Sequence, residues 1–164
     1  MFTIWMTGLS GSGKTTIAEE FKKIYKNKIL HLDGNKVRRY VNANLKFSIE
    51  EREQHLKRII GICILSEISD IPCIVSTISP LKSIRTSARE NLENFIEVYI
   101  KCPIAVCEER DPRGLYKSNT TEMIGKDLPY QAPTSPDIVI ETNKESVEEA
   151  VSKILDYLEK NNLS

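Results

Sequence analysis

Residues 8–15 read Gly8-Leu9-Ser10-Gly11-Ser12-Gly13-Lys14-Thr15 and match the phosphate-loop pattern G-x-x-x-x-G-K-[ST] at every position. The stretch Phe2–Thr7 before the loop is typical of a buried strand, and Thr15–Phe21 after it is typical of the first turns of a helix. A strand, a glycine-rich loop and a helix in this order form the context in which the pattern binds phosphate. The alternative that the pattern leaves open is a Gly/Ser-rich turn before a helix.

The chemistry of this loop predicts a site for a nucleoside triphosphate. Glycines allow backbone N–H groups to turn inward around a polyphosphate, and the N-terminus of the following helix adds a positive field. Lys14 would reach the β- and γ-phosphates of ATP, and the Thr15 hydroxyl would hold Mg²⁺. The predicted phosphate-binding residues are Gly8, Ser10, Gly11, Ser12, Gly13, Lys14, Thr15 and Thr16.

Length and composition restrict the class of protein. With 164 residues, 40% of them hydrophobic and 28% charged, the chain fits one globular domain over residues 1–164. Its formal net charge of +0 provides no overall basic field, so we expect neither a nucleic-acid partner nor a membrane surface. No apolar run approaches the roughly 20 residues of a membrane span. Because a core strand is predicted from Phe2, we expect no signal peptide.

The cysteines indicate the expected compartment. Cys63, Cys73, Cys102 and Cys107 contain no C-x-x-C pair, and three of them lie in apolar stretches. Buried free thiols in a reducing environment are favoured over a metal site or disulfides. We therefore expect a cytoplasmic protein.

Short β-branched runs alternate with helical patterns, which predicts an α/β fold, a P-loop NTPase-type parallel sheet flanked by helices. A helix is expected from Ser48, a capping residue, to about Ser69, and a closing helix from Lys144 to about Lys160. Five strands are expected, at Phe2–Thr7, Lys28–Leu32, Pro72–Thr77, Phe95–Ile100 and Asp137–Ile140.

Residues 110–136 break this alternation. The stretch contains four prolines and two glycines and has no sustained periodicity. Long irregular loops inside compact domains are usually functional, and closure over ATP would exclude water from phosphoryl transfer. We expect residues 110–136 to form a lid, with a disordered loop as the alternative.

Polar residues follow the predicted strands at their carboxyl ends, where parallel sheets of this kind bind ligands. Asp33 could orient or deprotonate an acceptor hydroxyl or help to hold Mg²⁺, or it could only cap the helix that follows. Ser79 could contact a substrate, although a role in shaping the turn is favoured. Arg38 and Arg52 are candidate anion ligands, with a solvated helix face as the alternative. His31, in a strand, is interpreted as structural.

The segments together resemble the adenylylsulfate (APS) kinase family. The resemblance covers nearly the whole chain, and its most specific part is Cys107-Glu108-Glu109-Arg110-Asp111-Pro112-Arg113-Gly114-Leu115-Tyr116-Lys117. The other matching segments are residues 8–18, Leu32–Arg38, Phe47-Ser48 with Arg52, Ile78–Pro80 and Pro129–Pro133. APS kinases transfer the γ-phosphate of ATP to the ribose 3′-hydroxyl of a 5′-activated nucleotide and are commonly dimers. The resemblance therefore implies an ATP- and Mg²⁺-dependent nucleotide kinase that forms a homodimer.

The resemblance also implies roles for individual residues. Lys14 and Asp33 become catalytic residues, Asp33 as the base or orienting carboxylate at the acceptor hydroxyl. Arg110 and Pro133 would lie around the adenine of ATP. Ser79 matches a substrate-loop serine that is phosphorylated in some members. The implied acceptor-binding residues are Asp33, Arg38, Phe47 as a stacking platform, Arg52, His55, Ile78 and Ser79.

Several positions depart from the family pattern. Asn35 replaces the second aspartate of Leu-Asp-Gly-Asp, and His55 stands where asparagine is expected. After Lys117 the chain continues Ser118-Asn119-Thr120-Thr121-Glu122-Met123, several residues short of the family's lid. This segment lacks the phenylalanine that covers the second face of the APS adenine. Stacking on one base face is worth about 1–3 kcal/mol, so its loss would weaken APS binding.

The altered lid predicts a changed acceptor. By similarity to the cytidine diphosphoramidate kinase branch, which acts in capsule phosphoramidate biosynthesis, we expect cytidine 5′-diphosphoramidate. The alternative is adenylylsulfate itself, converted to 3′-phosphoadenylylsulfate in sulfate assimilation. Asn35 leaves open a further possibility, a nucleotide-binding module without turnover.

Overall fold

The computed structural model describes residues 1–118 and 122–163. The strands are β1 (Thr3–Thr7), β2 (Leu30–Asp33), β3 (Cys73–Ser76), β4 (Phe95–Lys101) and β5 (Ile138–Glu141). The helices are α1 (Lys14–Ile24), α2 (Gly34–Tyr40), α3 (Ile49–Ile68), α4 (Lys82–Asn91), α5 (Ile104–Arg110) and α6 (Val147–Lys160). Every predicted strand is present, with bounds that differ from the prediction by at most two residues.

The five strands form one parallel sheet in the order β2-β3-β1-β4-β5. β1 is central, with Ile4 opposite Ile74 of β3 and Ile96 of β4. β2 and β3 lie on one side of β1, and β4 and β5, which come later in the chain, lie on the other side. The order therefore reverses at β1, and the loop after this strand opens at the switch point where such sheets bind ligands.

Each face of the sheet is covered by helices because the side chains of β1 alternate between two apolar clusters. Ile4 and Met6 pack with α1 and α6 on one face. Trp5 packs with α3 and α4 on the other. β3 is likewise buried, and β4 is buried up to Val98, so the three central strands are largely buried, as expected for a doubly covered parallel sheet.

The structure adds two helices, α4 and α5, that the sequence patterns did not predict. α2 begins at Gly34 and is the helix that the capping alternative for Asp33 required; it follows β2 without an intervening residue. Glycine is required at this junction because a Cβ at Gly34 would lie 2.9 Å from Thr77 Oγ1. α6 begins three residues later than expected because Ser146 caps it.

Within the described parts of 110–136, the chain forms turns, bends and one isolated bridge between Ile124 and Leu128. Asn119, Thr120 and Thr121, part of the shortened lid segment, lie outside the described residues. The four cysteines are free and buried. In the described ranges no helix has the length and apolarity to cross a membrane.

Candidate active site

The phosphate loop joins β1 to α1 and is held in a conformation that requires glycine. Gly11 and Gly13 have φ angles of 76° and 103°, in the left-handed region that other residues rarely adopt. A Cβ at Gly11 would lie 2.9 Å from the carbonyl oxygen of Cys107, and one at Gly8 would collide with that of Ile100. The loop is therefore closely packed against the segments that follow β4.

Lys14 is buried beneath this loop. Its Nζ donates hydrogen bonds to the carbonyl oxygens of Gly8 (2.9 Å) and Leu9 (2.6 Å) and to Ser12 Oγ (3.2 Å). Burial lowers the pKa of Lys14 to about 7. Since all three partners are neutral oxygens, a polyphosphate bound at the loop would supply the negative charge that favours the protonated amine.

Thr142 and Tyr116 support the phosphate loop from outside, and Arg110 in turn contacts Thr142. Thr142 Oγ1 donates to the carbonyl of Ser12 (2.8 Å), and Arg110 donates to both the hydroxyl (3.1 Å) and the carbonyl (2.6 Å) of Thr142. Tyr116 donates from its hydroxyl to the carbonyl of Ser10 (2.9 Å). Arg110 thus lies beside the phosphate loop, but the sequence patterns gave no role to Thr142, which joins it to that loop.

Asp33 caps α2 and also contacts the phosphate loop, so the capping role is confirmed and its role at an acceptor hydroxyl or Mg²⁺ stays a prediction. Its Oδ1 accepts from the backbone N–H groups of Asn35 (3.0 Å) and Lys36 (3.1 Å), and its Oδ2 accepts from Thr15 Oγ1 (2.8 Å). Burial raises the pKa of Asp33, but these hydrogen bonds outweigh it and hold the pKa below its ordinary value. The carboxylate is therefore ionised at neutral pH.

The Thr15 hydroxyl and the Asp33 carboxylate offer oxygen atoms, which are the ligands that Mg²⁺ prefers. Among residues 1–118 and 122–163 there is no group of three acidic, histidine or cysteine side chains able to hold a metal by itself. This set fits Mg²⁺, which is usually held by one or two protein oxygens together with water and substrate phosphates.

A second hydrogen-bonded layer lies behind Asp33. Ser76 Oγ donates to Asp33 Oδ2 (3.4 Å) and contacts His31 Nε2 (2.8 Å), while His31 Nδ1 contacts Glu19 Oε1 (3.0 Å). His31 is buried in β2 with both ring nitrogens bonded to protein groups. These contacts agree with the interpretation of His31 as structural.

Phe47 lies between two arginines at the edge of the site. The guanidinium carbons of Arg38 and Arg52 are 4.6 and 5.3 Å from its ring centroid. Arg52 also donates to the carbonyls of Phe47 (2.6 Å) and Glu122 (2.9 Å), which connects the first turn of α3 to the predicted lid. The ring is half exposed, so this cluster presents an aromatic face and two cations at the surface.

His55 lies behind this cluster rather than on its surface. It is buried, and its Nδ1 contacts Asn42 Nδ2 at 2.6 Å. Burial, followed by the charges of Arg38, Arg58 and Arg52, lowers the pKa of His55 to about 4. His55 is therefore a neutral support beneath the arginines at physiological pH.

The loop after β3 packs against the entrance of the phosphate loop. The carbonyl of Ile78 accepts from Thr7 Oγ1 (2.6 Å) and from the Gly8 N–H (3.3 Å). Ser79 is buried with a φ of 44°, and its hydroxyl accepts from Trp5 Nε1 (2.9 Å). The Ser79 side chain therefore shapes the turn and is directed inward, away from the strand ends.

Arg110 contacts Thr142, whereas Pro133 has other neighbours, and the expectation that both surround the ATP base stays a prediction. Pro133 lines a separate surface cavity with Arg85 of α4 and Glu97 of β4, on the sheet face that carries α3 and α4. A hydrogen bond from the backbone N–H of Gln131 to the carbonyl of Pro80 holds the segment around Pro133 beside the loop after β3.

Arg113 is a candidate that sequence reasoning did not select. Its exposed guanidinium acts electrostatically on both Lys14 and Asp33, so it lies near these two candidate residues. The sequence signal that could have identified Arg113 is its position in Cys107–Lys117, the most specific part of the resemblance to the APS kinase family.

Comparisons with known proteins agree with this geometry. The family model for adenylylsulphate kinase matches residues 1–141. An adenylyl-sulfate kinase from Clostridium kluyveri is 44% identical over 163 residues, which cover 94% of this chain and 82% of that protein. The solved structure of the Mycobacterium tuberculosis APS kinase in complex with AMPPNP and APS has a TM-score of 0.92 at 35% identity, covering 96% of this chain and 97% of that one. A hexameric APS kinase from Thiobacillus denitrificans has a TM-score of 0.74 at 27% identity, over 99% of this chain and 29% of that one.

Proposed function

The chain belongs to the adenylylsulphate kinase family of ATP-dependent phosphotransferases with an alcohol acceptor, and we propose that its acceptor is the 3′-hydroxyl of adenylylsulfate. The likeness to relatives named for adenylylsulfate supports this acceptor, and the observation that carries the phosphoryl transfer is the contact of 2.8 Å between the Asp33 carboxylate and Thr15 of the phosphate loop. It joins the group that would receive the acceptor to the loop that would hold ATP.

The ATP half of the site would be formed by the phosphate loop. Its backbone N–H groups and Lys14 would hold the β- and γ-phosphates, and Lys14 would neutralise charge that develops during transfer. Thr15 would hold Mg²⁺, which, when bound, supplies charge neutralisation between the β- and γ-phosphates. Arg110, supported through Thr142, would lie beside the nucleoside of ATP.

Asp33 would accept a hydrogen bond from the 3′-hydroxyl and aim it at the γ-phosphorus. Because the pKa of Asp33 is held below its ordinary value, it is a weak base before transfer, and its first task is orientation. As the new P–O bond forms, the hydroxyl becomes far more acidic, and its proton can pass to the carboxylate. ADP then leaves with the former β–γ bridging oxygen.

The acceptor would lie on the cluster around Phe47. The ring offers a stacking surface for a base, and Arg38 and Arg52 offer positive charge to the anionic 5′ group. His55 would support these arginines from beneath. Ile78 and Ser79 would border the acceptor through their backbone, since the Ser79 hydroxyl is bonded to Trp5.

Cytidine 5′-diphosphoramidate is the second candidate acceptor, and the observation that favours it is the short lid segment after Lys117. The relatives described above are named for adenylylsulfate, so they support the APS activity over the cytidine activity that the lid suggested. The homodimer stays a prediction, since one of the structural relatives is described as hexameric.

The deciding experiment is acceptor-dependent ADP release with ATP and Mg²⁺, comparing adenylylsulfate with cytidine 5′-diphosphoramidate and with CDP. We expect the largest kcat/KM with adenylylsulfate and a product phosphorylated at the 3′ position. Lys14→Ala is the control for contaminating activity. Preference for the cytidine compound would overturn the proposal, and ATP binding with no acceptor-dependent increase in ADP release would indicate a nucleotide-binding module.

A further inference from the structure

Arg85 is a buried arginine of α4 to which the proposed reaction assigns no task. It is 3% exposed, and its Nε donates to Glu97 Oε1 of β4 at 2.7 Å. A buried charge is costly unless it is paired, and Glu97 provides that pairing. The ion pair satisfies one nitrogen of the guanidinium and leaves two for other partners.

Those two nitrogens hold two different loops. One donates to the carbonyl of Ser79 at 2.6 Å and the other to the carbonyl of Gln131 at 2.5 Å. Ser79 belongs to the substrate loop, residues 78–80, and has a φ of 44°, which a serine adopts only where its surroundings compel it. Gln131 belongs to the lid end, residues 129–133. One side chain therefore fixes both segments.

Further contacts join the lid end to the same place. Gln131 donates from its backbone to Pro80 (2.9 Å), and its side chain accepts from the Lys82 N–H at the start of α4 (2.7 Å). The Tyr130 hydroxyl contacts Thr7 Oγ1 at 2.8 Å, at the carboxyl end of β1. The lid end is thus attached to the substrate loop, to α4 and to the central strand.

We propose that Arg85 is a positioning residue that couples the substrate loop to the lid end, so that acceptor binding at one and docking of the other occur together. The acceptor's identity in this inference rests on the proposed function, but the coupling itself does not. A planar guanidinium can serve Glu97 and two carbonyls at once, whereas an ammonium on a flexible stem cannot reach all three.

The test compares Arg85→Lys with a matched control, Arg89→Lys. Both variants keep a positive charge on the same face of α4, and Arg89 also pairs with Glu97 (3.7 Å) and with Asp137 (2.6 Å). Arg89 is 43% exposed, and its hydrogen bonds go to Phe95 and Asp137, outside both loops. If only the ion pair with Glu97 mattered, the replacement of arginine by lysine would therefore have the same effect in both variants.

Trp5 reports on the substrate loop without any need for activity. It is the single tryptophan, is fully buried and donates to Ser79 Oγ. In Arg85→Lys we expect a red-shifted Trp5 emission, greater quenching by acrylamide and faster hydrogen exchange at residues 129–133. In the adenylylsulfate assay we expect an acceptor KM raised roughly tenfold, the effect of about one lost charge-assisted hydrogen bond, with the KM for ATP nearly unchanged.

Each result decides the proposal. If Arg85→Lys matches Arg89→Lys in Trp5 emission, exchange and acceptor KM, the coupling is refuted. If Arg85→Lys fails to fold, Gln131→Ala replaces it, because it loosens the lid end by removing the side-chain contact with Lys82 and keeps the carbonyl that Arg85 binds. Faster exchange at residues 129–133 together with an unchanged Trp5 emission in Gln131→Ala then refutes the coupling. If the wild type does not phosphorylate adenylylsulfate, the proposed function fails, while fluorescence and exchange still decide the role of Arg85.

Discussion

Asp33 uses its two carboxylate oxygens for two separate tasks. Oδ1 accepts from two N–H groups at the start of α2, and Oδ2 faces Thr15 of the phosphate loop. An alanine at this position removes both contacts, so loss of activity in Asp33→Ala alone would not separate catalysis from helix capping. Asparagine is the informative replacement because it caps helices about as well as aspartate.

In Asp33→Asn we expect a melting temperature close to that of the wild type and a kcat lower by at least about a hundredfold, since a positioned general base contributes about 10²–10⁴. Circular dichroism melting and steady-state kinetics with ATP and the acceptor measure the two effects. Asp33→Ala serves as the comparison and should lose a further ~1 kcal/mol of stability with the cap. Turnover at the wild-type rate in Asp33→Asn would exclude an ionised carboxylate from the mechanism.

At the scale of elements, two helices begin with the same capping box. Ser48 and Glu51 form it at α3, and Ser146 and Glu149 form it at α6. In both, the serine side chain accepts from the backbone of the glutamate, whose carboxylate accepts from the backbone of the serine. Only the first turn of α3 carries an active-site candidate, Arg52.

We expect Ser48→Ala and Ser146→Ala to lower the free energy of unfolding equally, by about 1 kcal/mol each. Only Ser48→Ala should raise the acceptor KM, because fraying of α3 displaces the Arg52 side chain that contacts Phe47. Urea denaturation and acceptor titrations test both statements. An equal kinetic effect of the two variants would remove the cap of α3 from acceptor binding.

The sequence predicted the elements that carry their own local signals and missed those that depend on distant contacts. All five strands and the two capped helices were predicted. α4 is the clearest miss, because it is a polar segment whose N-cap residue, Leu81, makes no side-chain cap. The acceptor for its first N–H group comes from Gln131, 49 residues away in sequence.

The same distinction applies to the candidate site: residues with a local sequence signal were predicted, and residues that depend on distant contacts were not. The phosphate loop and Asp33 were recognisable because their residues and their strand-end positions are local in sequence. Thr142, which supports that loop from 130 residues away, and Arg85, which joins two loops, carry no local pattern. The inward direction of the Ser79 hydroxyl depends on Trp5, which no turn propensity indicates.

At the scale of the whole molecule, His55 makes stability depend on pH. The unfolded chain binds a proton at this residue below its ordinary pKa of 6.5, whereas the folded chain resists protonation down to about pH 4. The stability that neutral His55 provides is therefore fully present above pH 6.5 and is lost as the pH falls towards 4.

We expect His55→Asn to reduce this loss by about 2 kcal/mol between pH 7 and pH 5, because each pKa unit corresponds to about 1.4 kcal/mol. Asparagine can accept the hydrogen bond from Asn42 and has no proton to gain. Urea denaturation of both proteins at the two pH values measures the difference. Identical pH dependence in the two proteins would show that His55 does not control acid stability.

The position of β1 in the middle of the sheet also has a consequence for synthesis on the ribosome. β1 is translated before both of its neighbours, and it pairs with Cys73–Ser76 on one side and Phe95–Lys101 on the other. This strand, buried at all five positions in the folded protein, therefore leaves the exit tunnel well before any partner strand exists. Until Lys101 has been translated, the nascent chain cannot complete the centre of its sheet, and this interval is when chaperones would protect it from aggregation.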